Sequence, residues 1–285
     1  MFGTARRLLP HELLDGPVTV LAPHMDDEAL GCGATLAAVA GVQSIHVVYV
    51  TDGAASPIPE APWIGQASGD LAGVRRREAR RAMRVLGVRE DNLRFLDLPD
   101  GTVARREGEL RDLVLALLDE LRPQYLLVPF RYDRHPDHVA TNHAVVKAAS
   151  AGGEEAPQIV EYFVYYRSRL LPGGDVRRYV RPDQLAIVDA SPFSATKRRA
   201  LECYESQTTA LFEWQRRPNL TRRLVAEVSA SPEAFVLYSP TFSGSRIFKR
   251  GAGWVRWVQA IEWPLKRAKD RGVALVRSGD TKRTT

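Results

Sequence analysis

The feature that most constrains the fold is an alternation of short apolar runs with longer amphipathic segments in the first half of the chain. The apolar runs, rich in β-branched and aromatic residues, predict buried strands, and the segments between them have helical periodicity. Predicted strands cover residues 18–22, 45–50, 93–96 and 125–130. Predicted helices cover residues 31–41, 74–87 and 109–121. This alternation favours an α/β fold with a Rossmann-like, mostly parallel sheet and helices on both faces.

After residue 150 the alternation becomes looser. Further strands are predicted at 159–166, 184–190 and 235–239, and a helix is predicted at 195–214. At 285 residues and 45% hydrophobic composition, the chain can bury a substantial core without disulfides. We therefore expect one α/β domain over residues 1–245, followed by a tail over residues 246–285.

The charge of the chain is concentrated in that tail. Residues 246–285 hold 11 Lys and Arg against 3 Asp and Glu, which leaves 29 basic and 31 acidic residues in the rest. A nearly neutral body argues against a nucleic-acid partner for the fold as a whole. The tail also has tryptophans among its basic residues, so it could contact an anionic membrane peripherally as an interfacial helix, or pack on the body as a last helix.

The rest of the composition indicates a cytoplasmic location. The first residues have only a short apolar pair, Leu8-Leu9, which is too little for a signal peptide, and no run is long enough to span a membrane. The two cysteines, Cys32 and Cys203, are far apart in sequence and form no CxxC pair, so they suggest neither a disulfide framework nor a cysteine zinc site.

Two short motifs follow predicted strands and concentrate the reactive side chains. The first, APHMDDEALG, covers residues 22–31, and the second, RYDRHPDH, covers residues 131–138. Ligands collect at the carboxyl ends of the strands in an open parallel sheet, so both motifs should lie at the same edge. Neighbouring carboxylates repel each other, and burial adds to the cost of each charge, which a bound cation would remove.

The two motifs together supply a complete set of metal ligands. His24, Asp27 and His138 would give two nitrogens and one oxygen, the set that a catalytic zinc uses while it leaves a position open. The alternative is that the acidic residues are an ordinary solvated helix start, since acids favour that end. The second motif, with two histidines flanking Pro-Asp, favours the metal site.

With these motifs the chain resembles the LmbE-like, or PIG-L, family of zinc-dependent de-N-acetylases. Other landmarks agree, and the resemblance covers roughly residues 17–210. They are Thr51-Asp52-Gly53, Arg75-x-x-Glu78-Ala79, the FLDLPDG segment and Ser206-Gln207. The chain departs from the family pattern at two places. Met25 stands where the family usually has Pro, and Tyr204 opens a segment that more commonly reads His-x-Ser-Gln.

The resemblance implies a role for each residue of the motifs. It implies Zn²⁺ held by His24, Asp27 and His138, with Asp26 as the general base that takes a proton from zinc-bound water. His135 would face the developing oxyanion as an imidazolium and protonate the leaving amine, and Asp137 would orient His135 and favour its charged form.

The resemblance also implies substrate contacts for Arg75 and Asp100. From the residues alone, Arg75 is a solvated helix charge among other arginines, and Asp100 is a turn residue in Pro-Asp-Gly.

The implied reaction removes the acetyl group from an N-acetylated amino sugar, of the N-acetylglucosamine-conjugate type, carried on a small molecule or a lipid. Two alternatives stay open. The enzyme could be an amidase of the same family that acts on a non-sugar amide. The chain could instead be a metal-containing binding module that uses its basic tail at anionic surfaces.

Overall fold

The structure, a computed structural model, describes residues 5–56, 70–133, 135–164, 180–211, 215 and 217–238. Within them, eight strands form a single sheet in the order β1-β7-β8-β6-β5-β2-β3-β4. The strands are β1 (Arg6–Leu8), β2 (Val18–Ala22), β3 (Ile45–Thr51), β4 (Leu93–Leu98), β5 (Tyr125–Pro129), β6 (Gln158–Tyr162), β7 (Leu185–Val188) and β8 (Glu233–Tyr238). All neighbouring strands pair in parallel except β8, which is antiparallel to both β6 and β7.

Helices cover both faces of the sheet, because the central strands present apolar side chains to both faces. In β2, Val18 and Val20 face one core while Leu21 faces the other. The first core is closed by α1 (Pro10–Leu13), α2 (Asp27–Val39), α3 (Leu71–Val85), α6 (Ser194–Glu202) and α8 (Arg222–Ala230). The second core is closed by α4 (Glu107–Leu121) and α5 (Pro136–Ala149). The predicted mostly parallel α/β fold is confirmed.

The strand order creates a crevice between β2 and β5. From β2 the chain moves outward through β3 to β4, and then returns to place β5 on the other side of β2. Loops that leave neighbouring strands toward opposite faces of a sheet separate at their carboxyl ends, and this switch point is where open α/β sheets bind ligands. Both sequence motifs begin at this point.

Several predicted boundaries were wrong. The helix predicted at 195–214 ends at Glu202, and a separate short helix, α7 (Glu205–Thr208), follows. The helix predicted from residue 31 starts at Asp27. Strand β1 and helices α1 and α8 were not predicted. Among the described residues, no helix has the length and apolar character needed to cross a membrane. The tail over residues 246–285 lies outside the described residues, so the expectations for it stay predictions.

Candidate active site

The two motifs form adjacent loops at the β2–β5 crevice. The first loop (residues 23–26) connects β2 to α2, and the second loop (residues 130–135) connects β5 to α5. Because β2 and β5 pair directly, the loops meet although more than a hundred residues separate them in sequence. The edge is completed by the segments that follow β3 and β4.

Each loop ends as the start of a helix, which fixes where its side chains lie. Asp26 is the N-cap of α2 and Asp27 its first residue. His135 is the N-cap of α5, and its Nδ1 accepts a hydrogen bond from the backbone N–H of Asp137 at 3.2 Å. Pro136 occupies the first helical position, where the missing N–H costs nothing. Both helices direct their positive ends at this cluster of carboxylates, which stabilises negative charge there.

Three side-chain atoms from the two loops form a nearly equilateral triangle. His24 Nδ1 lies 3.2 Å from Asp27 Oδ2, His138 Nε2 lies 3.1 Å from the same oxygen, and the two nitrogens are 3.3 Å apart. All three residues are buried, with His138 and Asp27 at 0% and 1% exposure. Two nitrogens and an oxygen at this spacing leave no room for a fourth protein atom between them, but they can share one cation.

The second nitrogen of each histidine in the triangle contacts a buried carboxylate. His24 Nε2 lies 3.2 Å from Asp100 Oδ1 and 3.3 Å from Asp137 Oδ2. His138 Nδ1 lies 3.3 Å from Asp133 Oδ2. Histidines that bind metals commonly donate their other N–H to a carboxylate in this way, which fixes the tautomer and the ring orientation. When each ring donates its outer N–H to a carboxylate and carries no second proton, its inner nitrogen is the atom that can bind a metal ion.

Two other sets of three side chains lie close enough to hold an ion, with ligand atoms within 4.8 Å of one another. They are His24, His135 and His138, and His24, Asp100 and Asp137. The carboxylates of the second set also accept backbone hydrogen bonds, as Asp27 Oδ2 of the triangle does from His24 N at 2.8 Å. Gly101 N and Val103 N donate to Asp137 at 2.8 and 3.1 Å, and Ala55 N donates to Asp100 at 3.1 Å.

The site holds more carboxylates than permanent positive charges, and both burial and these charges shift the pKa values of its side chains. Burial raises the pKa of Asp26 to about 7, although the nearby Arg75 guanidinium opposes the shift. Burial would lower the pKa of His138, but the Asp27 and Asp133 carboxylates outweigh it and raise that pKa to about 9. In Asp27, burial is likewise outweighed, and His138 lowers the pKa of the carboxyl. The cluster retains protons on its histidines because its carboxylates attract positive charge.

Arg75 is buried behind Asp26 and is not the solvated helix charge that the sequence alone indicated. It is 1% exposed, and its NH2 group donates to Met25 O at 2.7 Å and to Asp26 Oδ1 at 3.4 Å. Its NH1 group donates to Gly53 O at 3.1 Å. Gly53 has a φ of +64°, and a Cβ there would lie 2.9 Å from the guanidinium, so the turn after β3 needs glycine. Arg75 thus joins α3 to the first loop and to the turn after β3.

The contact between Asp137 and His135 differs from the predicted one. The sequence predicted that the Asp137 carboxylate orients His135, but this carboxylate contacts His24 and two backbone N–H groups. The contact with His135 runs through the backbone N–H of Asp137. The ring of His135 lies 4.5 Å from that of His24, at the rim of the triangle. Asp137 thus contacts His24 through its carboxylate and His135 through its backbone N–H.

Three contacts around the site were missed by sequence reasoning. Asp133 contacts His138 from within the second motif, and its position five residues earlier was the available signal. Glu78 accepts hydrogen bonds from Ser206 N at 2.7 Å and Ser206 Oγ at 2.6 Å, which joins two landmarks of the resemblance. Tyr204 Oη contacts the carboxylate of Glu28, 176 positions away. No local pattern could have indicated the last two pairs.

The comparisons with known proteins agree with this arrangement. A sequence profile of the PIG-L family, described as GlcNAc-PI de-N-acetylase, matches residues 19–149, which include both loops. A Bacillus cereus protein described as a probable N-acetyl-α-D-glucosaminyl L-malate deacetylase is 25% identical over 69% of this chain and 86% of its own length. A Saccharopolyspora erythraea protein, a 1D-myo-inositol 2-acetamido-2-deoxy-α-D-glucopyranoside deacetylase, is 27% identical over 65% of this chain and 81% of its own.

A solved structure shows the same fold. The N,N′-diacetylchitobiose deacetylase of Pyrococcus horikoshii matches with a TM-score of 0.59 over 82% of this chain and 88% of that one, at 19% identity. That identity supports the fold alone. The profile match and the deacetylase relatives together show that residues 19–149 of the chain form a domain of the PIG-L, or LmbE-like, family.

Proposed function

We propose that the protein is a zinc-dependent hydrolase that removes the acetyl group from an N-acetylated amino sugar of the N-acetylglucosamine-conjugate type. The observation that carries the proposal is the triangle of His24, Asp27 and His138 beside the buried carboxylate of Asp26. Two imidazoles and a carboxylate form the ligand set of a catalytic zinc site, and a separate carboxylate supplies a base that is not a ligand.

The triangle fits zinc in size as well as in ligand type. Ligand atoms in a tetrahedral zinc site, at bond lengths of about 2.0–2.1 Å, are about 3.3 Å apart. The three observed separations of 3.1–3.3 Å match that spacing. When bound, zinc supplies Lewis acidity, which lowers the pKa of a water to about 7 and polarises an amide carbonyl. Three protein ligands leave one tetrahedral position for that chemistry.

Asp26 is assigned as the general base. Amide hydrolysis requires that the attacking water lose a proton while its oxygen bonds to the carbonyl carbon, and that the nitrogen gain a proton as the C–N bond breaks. The Asp26 carboxylate is adjacent to the ligand Asp27 and contacts Arg75, which holds it in place. Burial raises its pKa to about 7, which suits a group that must both accept and release a proton near neutral pH.

His135 is assigned to the opposite side of the reaction. Its Nδ1 accepts the Asp137 N–H, so the proton of the neutral ring lies on Nε2. A ring that donates from Nε2 can stabilise negative charge on the amide oxygen, and the proton that Asp26 takes from the water is the one passed to the departing amine. Asp137 acts on His24 through its carboxylate and on His135 through its backbone.

The substrate class rests on the relatives. The Bacillus and Saccharopolyspora proteins are both described as deacetylases of α-linked 2-acetamido sugars. The sugar is linked to malate in the first description and to inositol in the second. Arg75 and Asp100 are proposed to contribute to substrate binding through the positions they give to Asp26 and His24. The amidase and binding-module alternatives predict no release of amine from such sugars.

Release of free amine by the zinc-loaded protein tests the proposal. The panel contains N-acetylglucosamine, its α-glycosides with polyol and hydroxyacid groups, N,N′-diacetylchitobiose and, for comparison, N-acetyl amino acids. We expect amine from at least one acetylated sugar, and release that is at least about 100-fold slower from the same sugar with Asp26→Asn. Amine from the amino acids alone would favour the non-sugar amidase, and no amine from any compound would contradict the enzyme proposal.

The tail is proposed to contact an anionic membrane surface, which would suit a lipid-linked substrate in the cytoplasm. Its excess of basic residues and its tryptophans support the proposal. Cosedimentation with anionic vesicles tests it, with the full chain compared to a chain that ends at residue 245. Equal sedimentation of the two would contradict it.

A further inference from the structure

Glu28 is a buried carboxylate next to the site that the proposed reaction does not use. It follows Asp27 directly and is 0% exposed. One of its oxygens contacts the hydroxyl of Tyr204, and the other accepts a hydrogen bond from the backbone N–H of Asp26 at 3.2 Å. A buried carboxylate is costly, so its two contacts call for an explanation.

The backbone of Asp26 needs such support. Its φ of +148° with ψ of −20° lies in a region that side-chain-bearing residues seldom adopt, and such residues persist only where the surroundings hold them. At the N-cap, its N–H has no partner within the helix, so Glu28 supplies one. Arg75 holds the same residue from the other side, through Met25 O and Asp26 Oδ1.

Tyr204 in turn fixes Glu28. It is 0% exposed, and it lies at the break between α6 and α7, where the next residues bind Glu78. The rigid ring brings its hydroxyl to one oxygen of Glu28, which leaves the other oxygen directed at Asp26 N.

We propose that Glu28 and Tyr204 are a positioning pair, which acts through the Asp26 backbone to hold the carboxylate of the base in its working orientation. The proposal rests on the proposed function, because it assigns Asp26 as the base. Loss of a partner that orients a catalytic group typically costs about 10- to 100-fold, and small misplacements at a reacting centre act mainly on turnover.

Tyr204→Phe is the principal test, because it removes the hydroxyl and keeps the ring. With the best substrate of the acetylated-sugar panel, we expect kcat to fall about 10- to 100-fold, with KM and zinc content within about twofold of wild type. Tyr125→Phe is the matched control. Its hydroxyl also contacts a carboxylate, that of Asp15, but it lies at the opposite end of β5, so kcat should not change.

A double-mutant cycle separates positioning from general destabilisation. In the Asp26→Asn background, Tyr204→Phe should lower the residual rate by less than about twofold, because its effect runs through Asp26. Glu28→Gln, which cannot accept both hydrogen bonds, should reproduce the loss if Tyr204→Phe folds poorly. Wild-type kcat in both single variants, a loss that persists in the Asp26→Asn background, or a loss explained by missing zinc would overturn the pairing. Full activity of Asp26→Asn alone would instead overturn the assignment of the base.

Discussion

Two buried charged clusters, one at the start of α2 and one beside its middle, differ in how they balance their charges. Beyond the first turn of the helix, Lys197 Nζ donates to Glu233 Oε1 at 2.6 Å and to Leu30 O at 2.9 Å. Glu233 also accepts hydrogen bonds from Ala34 N at 2.9 Å and Thr35 N at 2.8 Å. This Lys197–Glu233 pair combines one cation with one anion, so its charges balance. We call it the closed cluster.

The cluster at the start of α2, which we call the open cluster, has more carboxylates than permanent positive charges. Its carboxylates are those of Asp26, Asp27, Asp100, Asp133 and Asp137. Among the described residues that touch them, Arg75 is the side chain with a permanent positive charge, and the histidines must bind protons to add more. A buried ion pair with balanced charges is a common structural feature, whereas a buried excess of one charge with perturbed pKa values is typical of a functional site.

The largest expected effect is on turnover at the open cluster. Asp26→Asn keeps the shape of the base and every atom of the triangle, but it cannot accept the proton. We expect kcat to fall by about 10²- to 10⁴-fold while zinc content stays at the wild-type value. Steady-state release of amine, with zinc measured on the same samples, checks this. Turnover within a few fold of wild type would remove Asp26 from the mechanism.

The next effect is on metal affinity, through the carboxylate behind His138. Asp133→Asn changes no atom of the triangle, but it weakens the hydrogen bond that fixes the ring of His138. We expect zinc affinity to fall by about 10- to 100-fold, as measured by competition with a chromophoric chelator. Asp112→Asn, at an exposed position on α4, is the control and should bind zinc normally. An unchanged affinity in Asp133→Asn would mean that Asp133 has no part in holding the ligand.

The smallest effect on function is expected at the closed cluster. Lys197→Met leaves the carboxylate of Glu233 buried without its cation, so the free energy of unfolding should fall by about 3–5 kcal/mol. The folded fraction should keep wild-type kcat. Arg198→Ala, which removes an exposed pair with Glu202, is the control and should cost about 0.3–0.5 kcal/mol. Urea unfolding of both variants measures the difference, and a loss of kcat in folded Lys197→Met would contradict the separation of the two clusters.

The sequence predicted the parts of this architecture that depend on local pattern. The apolar runs gave β2, β3 and β5 nearly to the residue, because the central strands of a parallel sheet are buried on both faces. The two motifs placed His24, Asp27 and His138 at one edge, because parallel strands end at the same edge. The assignment of these residues as ligands stays a prediction until metal is measured.

The remaining features depend on contacts between distant parts of the chain. The predicted helix at 195–214 breaks after α6, since Tyr204 turns to Glu28 and Ser206 binds Glu78, and these contacts override the helical pattern. Strand β8 inserts antiparallel between β6 and β7, which no local periodicity reveals. The burial of Arg75 was also not predicted, because a helix rich in arginine indicates solvent exposure.

Zinc stoichiometry tests the central claim most directly. Wild-type protein, His24→Ala and His138→Ala are stripped with a chelator, reloaded with equal zinc, freed of excess metal and analysed for zinc per chain, with circular dichroism to confirm folding. We expect about one zinc per chain in the wild type and nearly none in either variant, because two ligands do not retain the ion. One zinc per chain in both folded variants would contradict it.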